Sequence, residues 1–120
     1  MAVQGIANIK HHVRDWDKAI AFYRDSLGLK PSTLIANQWA EFVLPDGGRI
    51  GLVAAHDDVI HPPHVMLKVS GLAKLVSDLQ AQGGTVLDGP RKQAYGVTAL
   101  VKDPSGNTVE LIEPVTGKSN

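Results

Sequence analysis

The chain has 120 residues, 43% hydrophobic and 20% charged, which suits one folded domain with a single shared core and not a disordered polymer. Twelve basic and twelve acidic side chains cancel, so the charge balance gives no pull toward nucleic acid or an anionic membrane. The absence of cysteine excludes disulfides, a thiolate nucleophile and thiolate metal sites.

The opening residues show no basic stretch followed by an apolar run, and no segment has the length of a membrane span. A cytoplasmic location without a membrane partner is therefore expected. In chain order, residues 6–13 read as a strand. Asp15 stands at the N-cap of a helix over 15–27, in which Ala19, Ile20, Tyr23 and Leu27 recur at helical spacing and Gly28 provides the stop. Strands are expected at 30–36, 38–44 and 49–55, the last two joined by the turn Pro45-Asp46-Gly47-Gly48. Residues 56–63, with His56, His61 and Pro62-Pro63, read as an exposed linker. The order then repeats. A strand at 64–70 precedes a helix with the stripe Leu72, Leu75, Val76 and Leu79, which Gly83-Gly84 stops. Strands follow at 85–88, 97–102 and 108–113, with Asp103-Pro104-Ser105-Gly106-Asn107 turning between the last two. Residues 116–120 are small and polar and are expected to fray.

Val13 and Val69 close corresponding strands at an offset of 56, whereas Gly47 and Gly106, like Leu52 and Leu111, correspond at an offset of 59. Near-constant offsets mark a duplicated unit. The expectation is one α+β domain over 1–120, made of two tandem βαβββ modules at about 6–55 and 64–113 joined by the linker 56–63. Its eight strands would form a curled mixed sheet around a concave cleft.

Strand alternation sorts the side chains. Val65, Leu67 and Val69 fall on one face, and His64, Met66, Lys68 and Ser70 on the other. Val109 and Leu111 lie opposite Glu110, and Ile9, His11 and Val13 lie opposite Asn8, Lys10 and His12. The cleft would then collect Asn8, Lys10, His12, His64, Lys68 and Glu110, with Trp39 and Glu41 from the third strand. So many polar groups would be costly in a dry core, which favours a wet or ligand-filled pocket.

Two phrases carry a family resemblance. The run from His12-Val13-Arg14-Asp15 through Phe22-Tyr23 to Leu27-Gly28-Leu29 resembles the first strand and helix of the vicinal oxygen chelate superfamily. The run Asp103-Pro104-Ser105-Gly106-Asn107-Thr108-Val109-Glu110-Leu111 resembles its closing hairpin. That superfamily takes in glyoxalase I, extradiol dioxygenases, fosfomycin-resistance enzymes and bleomycin-binding proteins. The resemblance implies a metal site drawing on four positions, here Asn8, Gly51, His64 and Glu110. His64 and Glu110 are ordinary ligands, suited to Mn, Ni, Zn or Fe as a divalent ion. Asn8 offers only a neutral amide oxygen, and Gly51 offers no side chain. The resemblance also implies a homodimer. No nucleotide cofactor is expected, since no phosphate-cradling glycine loop occurs.

Each candidate has a functional and a plain reading. His64 and Glu110 are metal ligands, or a hydrogen-bonded pair left from an ancestral site. Asn8 is a third ligand, or bonds a substrate oxygen or the backbone. With Glu110 orienting the metal, Glu41 is a candidate proton acceptor, or an exposed strand residue. Lys10 and Lys68 neutralise an anionic substrate or hold their heads in solvent. Trp39 and Tyr95 stack on a planar ligand or simply pack. Two functions follow for a small-molecule partner. One is a metal-assisted lyase, isomerase or dioxygenase-like enzyme acting on vicinal oxygens. The other is a metal-free protein that sequesters an antibiotic-like ligand, as the bleomycin-resistance branch does.

Overall fold

The computed structural model describes residues 2–57 and 63–115. Most of the expected linker, including His61, and all of the expected frayed tail lie outside the described residues. The first half runs β1 (Val3–Val13), α1 (Trp16–Ala21) with a π-helical continuation over Phe22–Ser26, β2 (Lys30–Ile35), β3 (Trp39–Val43) and β4 (Arg49–Ala54). The second runs β5 (His64–Val69), α2 (Leu72–Ala81), β6 (Thr85–Gln93), β7 (Gly96–Lys102) and β8 (Thr108–Pro114). The strands form an eight-stranded mixed sheet in the order β2-β3-β4-β1-β5-β8-β7-β6. This is the expected α+β arrangement, and the duplication appears in the pairing. In each half the first strand runs parallel to the fourth, and the others are antiparallel neighbours.

The chain divides into two compact units, one of residues 8–63 and one joining residues 1–7 to residues 64–120. β1 therefore contributes its start to one unit and its remainder to the other. In the first unit, Trp16 and Ile20 of α1 pack with Ala40, Phe42 and Leu52 of the strands, and Tyr23, Ile50 and Ala54 pack against this cluster. In the other, Leu72 and Val76 of α2 pack with Val69, Ala99 and Leu111. These are the residues that helical and two-residue periodicity place inward.

Local chemistry explains most element ends. Asp15 caps α1, its Oδ1 accepting the Lys18 N–H at 3.3 Å. Gly47 and Gly106 adopt positive φ in the two hairpin turns, where a side chain would be strained. The Asp103 carboxylate accepts the N–H groups of Ser105 and Asn107 and the Asn107 amide. Two expectations are corrected. The first helix does not continue as α to Leu27, because the turn widens after Ala21 and the Leu27 N–H reaches back five residues to the Phe22 carbonyl at 2.9 Å. That extra residue turns Leu27 outward, to 52% exposed, while Tyr23 stays on the core. The strand expected to end at Asp88 runs on to Gln93. Gly89 and Pro90 make a register shift and not a turn, which is tolerated because β6 is a sheet edge needing no N–H on its outer side.

Candidate functional site

In the unit containing β5 and β8, Val65 stands opposite Val109 and Met66 opposite Glu110. Leu67, Val69, Val109 and Leu111 pack with the core cluster at α2. Alternation therefore puts His64, Met66, Lys68, Glu110 and Ile112 on the other face. There His64 Nε2 lies 3.0 Å from Glu110 Oε1, with side chains only 12% and 15% exposed. Two donors of different chemistry, an imidazole nitrogen and a carboxylate oxygen, thus meet at a shielded point. Such a pair can share a proton, or turn both atoms toward a cation. Tyr95 lies within the field of Glu110. Burial first, and then the Glu110 charge, push its hydroxyl above the usual tyrosine value, so it stays a hydrogen-bond donor at neutral pH. Lys68 shares the face and is exposed.

In the unit of β2, β3 and β4, the corresponding face has different contents. Lys10 and Glu41 stand opposite Gly51 from either side, and His12 and Trp39 stand opposite Val53. Asn8 is 3% exposed. A Cβ at Gly51 would collide with Cη2 of the Trp39 indole and would lie 3.0 Å from its Cζ3 and 3.2 Å from Asn8 Oδ1. The Lys10 ammonium sits 5.9 Å from the Trp39 ring centroid, within cation–π reach. Glu41 Oε1 accepts from the Arg49 guanidinium and, at 3.1 Å, from the Ser32 hydroxyl.

The four positions implied by the resemblance are therefore unequal. His64 and Glu110 are brought together; Asn8 lies beside Gly51, whose missing side-chain volume is filled by an aromatic ring. Among the described residues no three histidine, aspartate or glutamate side chains converge on one point. The residues fit an ion held by one imidazole and one carboxylate, with its other positions left to substrate oxygens. They do not fit a four-ligand protein cage. Two residues carry no signal in the sequence alone. Arg49 opens β4 opposite Val43, which puts it one pleat from Glu41 within its own unit. Thr98, 6% exposed and opposite Ile112, matches Trp39 at the offset of 59 that the hairpins already gave.

Residues 5–111 match the family described as the Glyoxalase/Bleomycin resistance protein/Dioxygenase superfamily. The chain is 30% identical over 122 residues to lactoylglutathione lyase GLX1 of Arabidopsis thaliana, a match covering 88% of this chain and 43% of that protein. It thus spans less than half the length of this relative. Methylmalonyl-CoA epimerase from Mycobacterium tuberculosis aligns with a TM-score of 0.77 at 24% identity, over 96% of this chain and 91% of that one. The Mn(II)-bound glyoxalase from Novosphingobium aromaticivorans aligns with a TM-score of 0.65 at 22% identity, over 99% of this chain and 42% of that one. At these identities the structural likeness speaks for the fold alone.

Proposed function

The chain belongs to the glyoxalase/bleomycin resistance protein/dioxygenase superfamily, and from that membership we propose that it is a divalent-metal-assisted enzyme acting on a small substrate with vicinal oxygens. The observation that carries this is the shielded His64–Glu110 pair, an imidazole and a carboxylate 3.0 Å apart on neighbouring strands. His64 Nε2 and a Glu110 oxygen would hold the ion, which when bound acts as a Lewis acid that steadies a developing enolate or oxyanion. Tyr95 donates a hydrogen bond to a substrate oxygen, and Lys68 balances an anionic group at the exposed end of the same face. Within the other unit, the face of Asn8, Lys10, His12 and Trp39 offers ligand contacts of its own, with Glu41 the proton acceptor proposed there. The likeness to a lactoylglutathione lyase directs the search first toward lyase reactions. A homodimer and a cytoplasmic location complete the proposal. No helix among the described residues is long and apolar enough to cross a membrane.

The test is calorimetric titration of chelator-stripped protein with Mn²⁺, Ni²⁺ and Zn²⁺, beside His64→Ala and Glu110→Ala. Saturable binding lost in both variants supports the proposal. A folded wild type that binds none of the three defeats it. One observation favours the second reading, a metal-free ligand-sequestering protein: Trp39 gives one unit an aromatic surface where a donor would stand. That reading gains if planar aromatic ligands quench Trp39 emission in protein that binds no metal.

A further inference from the structure

Resting on the proposal that His64 and Glu110 are the working donors, we propose that Trp39 is the specificity-determining residue that closes the first half's copy of this donor pair. The equivalence between halves comes from strand register. Lys10 faces Gly51 across the parallel pair of the first half as Met66 faces Glu110 across that of the second. Gly51 is therefore the counterpart of Glu110, and Asn8, two residues before Lys10, is the counterpart of His64. One strand further out, Trp39 faces Val53 as Thr98 faces Ile112, so Trp39 is the counterpart of Thr98. The halves have exchanged bulk between the same two positions. The second half pairs a small residue at 98 with a carboxylate at 110. The first pairs an indole at 39 with no side chain at 51.

Contact geometry ties the two changes together. The indole occupies the space into which any side chain at 51 would start, since even a Cβ there collides with its Cη2. The same Cβ position is 3.2 Å from Asn8 Oδ1, so the slot next to residue 8 has survived and the ring fills it. The colliding atoms are the outer edge of a half-buried indole, so a side chain at 51 requires that ring to be displaced. Position 51 is thus fixed as glycine by Trp39, and only the second half presents a nitrogen–oxygen donor pair. The retained Lys10 contact, 5.9 Å from the ring centroid, helps hold the indole in place.

The test uses the full chain in five forms: wild type, Gly51→Glu, Trp39→Thr, Trp39→Thr/Gly51→Glu, and Asn8→His/Trp39→Thr/Gly51→Glu. Urea unfolding of the first four reads the steric coupling. Gly51→Glu alone should lower the midpoint sharply, and adding Trp39→Thr should recover much of the loss. A tolerated Gly51→Glu, or one that Trp39→Thr does not relieve, overturns the proposal. Mn²⁺ titration then reads the reopened slot. The triple variant should gain an additional binding event, or bind about tenfold more tightly than wild type. A folded triple variant that binds as wild type does overturns the proposal, and if the triple does not fold, the double variant is judged by the same criterion. Wild type that binds no Mn²⁺ would defeat the reading of His64–Glu110 while leaving the 39–51 coupling and the gain in the variant as separate readouts.

Discussion

Glu113, near the end of β8, supplies what the start of α2 lacks. Gly71 precedes the helix with positive φ and no side chain, so it cannot cap as Asp15 does for α1. The Glu113 carboxylate instead accepts the Gly71 and Leu72 N–H groups, both at 3.0 Å. Replacing Glu113 with alanine should lower stability by about 1 kcal/mol, the usual worth of a cap, as read from urea unfolding. Those two backbone hydrogen bonds hold the Glu113 carboxyl below the usual glutamate value. A lowered folded-state value means that folding favours the ionised form. The contribution is therefore complete above the unfolded-state value of about 4.3 and is lost as pH falls through the folded-state value. The stability gap between wild type and Glu113→Gln, followed by thermal melts from neutral to acid pH, should accordingly narrow on acidification. The Asp15 cap was legible because donor and acceptor are three residues apart. The Glu113 cap was not, because its partners lie 41 and 42 residues away and only the fold joins them.

Each helix carries its own core, and the two cores give separable predictions. Leu52→Ala in the cluster at α1, and Leu72→Ala in the cluster at α2, should each cost about 2–5 kcal/mol, since both side chains are fully buried. Native-state hydrogen exchange should show the first loss mainly in β3 and β4, and the second in α2 and β8. Gly96 opens β7 at φ 147, and a Cβ there would collide with the Glu113 carbonyl oxygen and stand 2.9 Å from Pro114 Cα. Gly96→Ala should therefore cost about 1–3 kcal/mol in urea unfolding. Strand and helix order was legible because periodicity and turn chemistry are local. The π-helical turn after Ala21 was not, since Leu27 stands at α-helical spacing from Ile20 and Tyr23 in the sequence and only the widened turn carries it off the core face. The true length of β6 was hidden by Gly89-Pro90, whose turn chemistry the pairing with β7 overrides.

At the scale of the whole chain, twelve positive and twelve negative side chains leave a net charge near zero and a pI near 7.0. Colloidal repulsion is then weakest at neutral pH, and light scattering at fixed ionic strength should find self-association greatest there. The duplication was legible in the offsets, and the family resemblance placed Asn8, Gly51, His64 and Glu110 at matching positions of its halves. The indole at Gly51 was not, because periodicity gives a side chain's face but not the volume it fills. β1 carries a further consequence. Its first residues belong with β5, as the Ser70 N–H bonded to the Ala2 carbonyl at 2.9 Å marks, while residues 9–13 pair with β4. Repeat boundary and structural boundary therefore disagree. A gene cut between the repeats would leave the downstream fragment with β5 as a raw edge, and the upstream fragment holding the strand that covers it. Expressed apart, each piece should aggregate; co-expressed, they should complement each other through that borrowed strand.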